Sequence, residues 1–282
     1  MMMKISRRKT NSRGLVNTVM TTLTVACAFF VVAILLLILG YIAWRGLSSI
    51  NIQFLTDTPK PVGEGGGIGN AITGTLVLLG IASVIGLPFG IAAGIYLAEF
   101  GSGWFGNLVR FVTDTLTGVP SIVTGVFAYT LIVLPQKHFS TLAGGLALAI
   151  IMLPIVTRTT EEMIRLVPTS LREGALALGA PQWRVIIGIV LPAAASGIAT
   201  GAMLAVARVS GETAPLLFTA FGSRFFNWRL DQPMASLTVQ IYNYAISPYE
   251  EWHAQAWAAT LVLMTLILMI NIIVRFFTRR KF

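Results

Sequence analysis

Charge is scarce in this sequence: Asp, Glu, Lys and Arg make up 11% of its 282 residues, where a water-soluble domain carries roughly 25%. Hydrophobic residues reach 55% and the mean hydropathy is +0.80, so there is too little polar surface to cover a globule in water. The remaining solvent is lipid, where each spanning segment satisfies its own backbone hydrogen bonds and is therefore helical. The single cysteine, Cys27, excludes an intrachain disulfide and offers no metal-ligand spacing. Lying inside an apolar run, it reads as a small buried side chain. No G-x-x-x-x-G-K-[ST] stretch occurs, so nothing here cradles nucleotide phosphates. No apolar run offers a Ser/His or paired-Asp arrangement, which argues against proteolysis within the membrane.

What is present is a series of long apolar runs. Spanning a bilayer takes about 20 apolar residues, and six segments qualify: Gly14–Trp44, Ile68–Ala98, Thr115–Leu134, Thr141–Thr157, Ala193–Phe218 and Ala254–Val274. The first is too long for a cleaved secretory signal. Pro88, Pro120 and Pro154 fall inside spans, and abundant Gly and Ala suit close helix contact in lipid. The net charge of +9 concentrates at the ends, in Lys4, Arg7, Arg8, Lys9 and Arg13 and in Arg275, Arg279, Arg280 and Lys281. Clusters abutting apolar runs set topology rather than bind nucleic acid. Six spans place both termini on one side. That side collects fourteen Lys and Arg against five on the other, so both termini are expected in the cytoplasm. Residues 1–18 then form a basic tail and 19–282 the membrane domain. Two longer segments, Gly46–Gly67 and Ala220–His253, face outward. The second carries Trp228, Tyr242, Tyr244, Tyr249 and Trp252, expected to anchor at the interface. Gly63–Gly67 reads as a flexible lead-in or an anion-holding turn.

Between the fourth and fifth spans, Arg158–Leu191 is too polar for lipid. It contains Glu173-Gly174-Ala175, then Gly179 after three residues, then Ile189-Val190-Leu191-Pro192 after nine more. Leu171, Ala175 and Leu178 recur at helical spacing, giving a short helix with a small-residue face. Gly179 and Pro181 would stop it. Arg172 and Glu173 either pair locally or form a solvated face. This pattern resembles the E-A-A signature of importer-type permeases of ATP-binding-cassette transporters, with Gly174 where that family usually has alanine. A glycine costs up to about 1 kcal/mol of helix propensity. The resemblance implies that the loop, about 158–191, is a coupling helix held in a groove of a separate ATPase, with Arg172, Glu173, Gly174, Ala175 and Gly179 as the coupling residues.

Arg208 and Glu212 lie deep in the fifth apolar run. Either one at the bilayer centre costs at least about 2.5–3.5 kcal/mol, and such residues face a bundle interior or an aqueous path. The i,i+4 spacing sets both on one helix face. They form either a structural staple or a site on an anion path. Arginine suits an oxyanion because its planar fork donates paired hydrogen bonds and keeps its charge in low dielectric. Glu212 could temper that charge, or accept a hydrogen bond from the proton of HPO4 2−, which sulfate at neutral pH lacks.

The stretch A-R-V-S-G-E-T-A-P-L-L-F-T-A, with Glu64–Leu76, Gly94–Phe100, Val119–Phe127 and Thr157–Ala180, resembles the A-type phosphate-specific (Pst) permeases of the MetI-like family. The resemblance implies an all-α integral membrane fold of six transmembrane helices, a type I importer core over about 68–276, and a bacterial inner-membrane location. It implies a permease without catalysis of its own, importing phosphate. Its implied partners are a second homologous permease, two ATPase subunits that bind ATP and Mg, and an extracytoplasmic phosphate-binding protein. No cofactor is expected in this chain. Another oxyanion such as molybdate or sulfate, or a stand-alone channel or scaffold, are the alternatives.

Overall fold

A computed structural model describes the backbone of residues 8–279 and the side chains of 13–276. The basic-tail residues Lys4, Arg7, Arg280 and Lys281 lie outside the described residues. Among the described residues all regular structure is helical. Helix α1 covers Arg8–Leu47, α2 Ile52–Thr56, α3 Gly69–Glu99 and α4 Trp104–Gly118. A rod over Ser121–Gln136 comprises α5 (Ser121–Ala128), a π turn and α6 (Leu134–Gln136). Helices α7 (Thr141–Arg165) and α8 (Thr169–Ala177) follow. A second rod over Gln182–Ser210 comprises α9 (Gln182–Val185), a π turn and α10 (Leu191–Ser210). Short helices α11 (Ala214–Thr219) and α12 (Leu237–Ala245) precede α13 (Glu250–Arg279).

Among the described residues, five helices are long and apolar enough to cross a membrane: α1, α3, α7, the 182–210 rod and α13. The third expected span differs from the sequence reading. It is not one rod over Thr115–Leu134 but two, Trp104–Gly118 and Ser121–Gln136, bent by 105°; counted together they give the sixth. Pro120 causes the break. Its ring disfavours helical geometry at the preceding residue, and Val119 is extended, with φ −70° and ψ 128°. Pro88 and Pro154, by contrast, sit inside continuous helices.

The central element is α7, pressed by α3 on one side and α10 on another. Glycines make the approach possible. A Cβ at Gly86 would meet Met152 Sδ at 2.9 Å, one at Gly90 would meet Val156 Cβ at 2.7 Å, and one at Gly94 would meet Thr160 Cβ at 2.5 Å. Gly86, Gly90 and Gly94 recur every four residues, as do Met152, Val156 and Thr160, so two straight ridges mesh. Gly197 and Gly201 lie equally close to Met163 and Thr159. Near the start of α3 and α7, Leu78, Leu79 and Leu148 join Val209 and Leu216 in one buried cluster.

Helix α1 stands apart. Its apolar stretch has no buried residues except near its C-terminal end, where Gly46 meets the Trp257 carbonyl and Tyr41 packs edge-on to Trp257 at 5.3 Å. Cys27, expected to be buried, is therefore exposed, because no other helix of this chain covers that face. Gly63–Gly67 is an ordered turn rather than a loose lead-in. Gly63, Gly65 and Gly66 have φ of 89°, 74° and 100°, and the Gly63 N–H donates to Glu251 Oε2 at 2.7 Å. The turn thus holds an anion, and that anion is a side chain of the same protein.

Replacing Gly94 by leucine should force α3 from α7 at an overpacking cost of about 1–3 kcal/mol. The level of assembled, protease-resistant protein in membranes should fall well below that of Gly80→Leu, a position with open space around it. Equal levels would contradict the packing described.

Candidate functional site

The fifth apolar run does not continue unbroken through Phe218. Its helix ends at Ser210, Gly211–Thr213 interrupt it, and α11 resumes at Ala214 with Pro215 in its first turn. Glu212 therefore sits just past a helix end rather than on a helical face shared with Arg208. The two still pair through Arg208 Nη1 and Glu212 Oε1. Broken backbone is tolerated at membrane depth only where other groups satisfy it. Here the Thr238 hydroxyl donates to the Glu212 carbonyl at 2.9 Å, and the Leu237 N–H donates to the Thr75 hydroxyl at 2.8 Å. Close contact of Gly74 with the Ala235 carbonyl brings α12 to that depth. With 1.5 Å rise per residue, Leu78 and Leu148 lie about 10–14 Å inside their helix starts, and Val209 lines one small void with both. The pair is thus well below the ends of the spans.

Within the pair, Glu212 is buried, its side chain 6% exposed, while Arg208 is 59% exposed. Arg208 points away from this chain's own bundle. A guanidinium at that depth facing hydrocarbon would be costly, so its face meets water or another protein. The rest of that face agrees: Ser196, Thr200 and Leu204 are exposed at four-residue intervals leading to Arg208. Ile198 and Ala205, on the other side of α10, are buried. The sequence-expected pair is brought together, and its cationic half forms the surface.

At the opposite end of the bundle, α8 carries the spaced motif. Gly179 has φ 82° and its N–H donates to the Leu176 carbonyl at 2.9 Å, the left-handed stop that glycine adopts without a Cβ clash. A Cβ at Gly174 would meet nothing within 4 Å, so alanine fits there equally. The small-residue face expected around Ala175 turns inward: Ala175 is buried in one cluster with Ile164, Val167 and Val190, while Leu171, Leu176 and Leu178 are exposed. Arg172 does not pair with Glu173. It reaches Glu99, at the end of α3, at 3.0 Å and donates to the Ile164 and Val167 carbonyls at 2.8 and 2.6 Å. Glu173 is exposed.

A third constellation was not singled out from sequence. The expected polar loop begins later than Arg158, because Arg158–Arg165 complete α7. There Glu161, 2% exposed, receives Arg110 at 2.7 Å, Arg165 at 2.8 Å and Arg158 at 3.3 Å. Arg158 also forks onto both Asp114 oxygens at 2.8 Å. Arg110 donates to the Leu97 and Gly101 carbonyls, both at 2.7 Å, closing the free end of α3. The signal was the i,i+3 and i,i+4 spacing of Arg158, Glu161 and Arg165; Arg110 and Asp114 come from another helix. Glu161 and Arg110 form the more buried part of this cluster, since the Arg158 and Arg165 side chains are 36% and 55% exposed.

In the Cys27→Ala background, cysteines at Ser196, Thr200 and Leu204 should react with a small charged thiol reagent in the assembled protein. Cysteines at Ile198 and Ala205 should stay unreactive. Uniformly unreactive positions would place that face of α10 in lipid.

Similarity to known proteins bears on the same elements. Residues 86–282 match the family described as "Binding-protein-dependent transport system inner membrane component". The phosphate transport system permease protein PstA of Yersinia pestis is 45% identical, covering 99% of this chain and 96% of that protein. PstA of Haemophilus influenzae is 46% identical over 84% of each chain. Among solved structures, the inward-facing MetNI methionine ABC transporter aligns with TM-score 0.59 and 19% identity, covering 77% of this chain and 94% of that one. A bacterial ABC transporter for the acidic polysaccharide alginate aligns with TM-score 0.63 and 16% identity, covering 94% and 98%; at these identities the likeness concerns the fold. The chain belongs to the PstA family of phosphate transport system permease proteins, within the inner-membrane components of binding-protein-dependent transport.

Proposed function

We propose that this chain is a permease subunit of an ATP-driven phosphate importer, forming one wall of the translocation path with Arg208 as the anion-contacting cation. The observation that carries this reading is the exposure of Arg208 at depth, on the hydroxyl-bearing face of α10, with its carboxylate partner buried behind it. A homologous second permease would supply the opposite wall. Phosphate would exchange hydration for the guanidinium fork, while Glu212 keeps the site from holding the anion too firmly.

Two copies of a separate ATPase would bind ATP and Mg and drive the cycle. The exposed Leu171, Leu176 and Leu178 ridge of α8, with Glu173, suits a groove on that partner, and Gly179 sets where the helix stops. Arg172 then has a mechanical role: through Glu99, Ile164 and Val167 it ties α8 to α3 and α7, so displacement of α8 reaches the spans. The positive-charge bias supports placing α8 and both termini in the cytoplasm. The α12 end would then receive an extracytoplasmic phosphate-binding protein.

Arg208→Gln should leave assembly intact and lower ATP-dependent phosphate uptake by about 10–100-fold, the worth of a charged hydrogen bond. Uptake at the wild-type rate would remove Arg208 from the path. Glu212→Gln should narrow the preference for phosphate over sulfate and molybdate in competition, and an unchanged preference would limit Glu212 to positioning.

Glu99→Gln should preserve ATP hydrolysis by the complex while phosphate uptake falls several-fold. Equal loss of both activities would mean that the Arg172 tie serves folding alone.

A further inference from the structure

Helix α12 is tied down at both ends and open along one side. Its first turn lies against α3, where Gly74 meets the Ala235 carbonyl and the Leu237 N–H donates to the Thr75 hydroxyl at 2.8 Å. Near its last turn, Tyr244 is 3% exposed and stacks on Trp252 of α13, ring centroids 5.1 Å apart. Those two rings are packed within the chain and are not the interfacial anchors expected from the sequence. Between the ties, Ser236, Val239, Gln240 and Asn243 line a cavity of about 610 Å3, which Tyr244 and Trp252 also border. Atoms facing a void lack packing partners on that side, so the position of α12 depends on the bonds at its ends.

At the buried end those bonds form a chain of hydroxyls. The Val239 N–H donates to the hydroxyl of Ser236, the N-cap of α12, at 3.4 Å. The Ser236 and Thr238 oxygens lie 3.4 Å apart, and the Thr238 hydroxyl donates to the Glu212 carbonyl at 2.9 Å. A hydroxyl has one proton, and that of Thr238 is committed to Glu212. Ser236 is therefore the donor to Thr238, and the chain runs in one direction, from α12 to the break. Bonds strung in this way polarise one another. Ser236, Thr238 and Glu212 are all buried.

Three bonds place Glu212. Its N–H donates to the Val209 carbonyl at 3.2 Å, its carboxylate takes Arg208, and its carbonyl takes Thr238. The first two come from α10, on which Glu212 already hangs. The third comes from 26 positions further along the chain and fixes the break from outside.

We propose that Thr238 is a positioning residue for the Arg208–Glu212 pair: its hydroxyl holds the Gly211–Thr213 break so that the Glu212 carboxylate stays behind the guanidinium. The inference rests on the phosphate-import reading, in which that pair forms the anion-contacting site, and adds the residue that sets its geometry. The Thr238 bond is to the Glu212 backbone, so its effect on Arg208 passes through the Glu212 side chain.

The test reads the pair directly. Arg208 in the assembled transporter in nanodiscs is modified with phenylglyoxal, and the rate is followed by peptide mass spectrometry. Thr238→Val, which removes the hydroxyl and keeps the branched side chain, should raise the rate by about 3- to 10-fold, the worth of one hydrogen bond. Thr238→Ser should return the wild-type rate. In the Glu212→Gln background, Thr238→Val should add nothing, because two residues acting through one contact are not additive. A wild-type rate in Thr238→Val overturns the assignment, as does a further rise in the double variant. Should Thr238→Val fail to assemble, Thr75→Val takes its place, since it removes the acceptor that holds the start of α12; a wild-type rate there overturns the assignment equally. Phosphate uptake per assembled complex should fall several-fold in Thr238→Val and recover in Thr238→Ser. A raised modification rate with wild-type uptake would uphold the positioning role and instead fail the reading of the pair as part of the phosphate path.

Discussion

The close approach of α3 and α10 to α7 is the constraint on which the other features depend. Lipid supplies no hydrophobic drive to bring helices together, so contact has to come from packing. Glycines at positions 86, 90, 94, 197 and 201 supply it by letting backbone meet side chain directly. With α7 fixed between its neighbours, Val209 meets Leu78 and Leu148, which sets the depth at which α10 ends. The same contacts bring Arg158 and Arg165 of α7 to the end of α3, where Arg110 closes the last carbonyls.

Three ion pairs sort charge in the same way. In the pairs Arg208–Glu212, Arg172–Glu99 and Arg110–Glu161, the carboxylate is the more buried partner. Arginine tolerates the boundary position because its guanidinium is weakly hydrated and its stem is long. At Arg208 the exposed half of the pair is cationic, and the carboxylate lies behind it. Glu161 shows the same ordering, with three guanidiniums around one buried carboxylate; there the arrangement fastens three helices. Arg208, by contrast, has one carboxylate partner among the described residues and an open side.

Some of this was legible in the residues and some was not. Runs without charge gave α3 to within a residue at each end, and the E-x-A…G spacing gave the short helix and its stop at Gly179. Pro120 and Pro154 look alike as letters, yet one breaks a rod by 105° and the other rides inside α7. The letters around each proline do not separate the two outcomes. The break at Gly211–Thr213 was hidden for the same reason, since Thr75 and Thr238, which hold α12 against it, come from distant parts of the chain. Adjacency offers Glu173 as a partner for Arg172, or a solvated face for both. The actual partner of Arg172, Glu99, is 73 positions away.

By itself, then, the sequence determined solvent and secondary structure. Apolar runs of sufficient length become helices in lipid regardless of their neighbours, because each closes its own hydrogen bonds. Motif spacing within a turn or two of helix is likewise local. Tertiary structure alone decided which face of α10 carries Arg208 outward, which carboxylates are buried, and that Tyr244 and Trp252 line a cavity rather than anchor at an interface. Those outcomes depend on which helices touch, and contact between distant segments follows from shape and packing that no short stretch of residues contains.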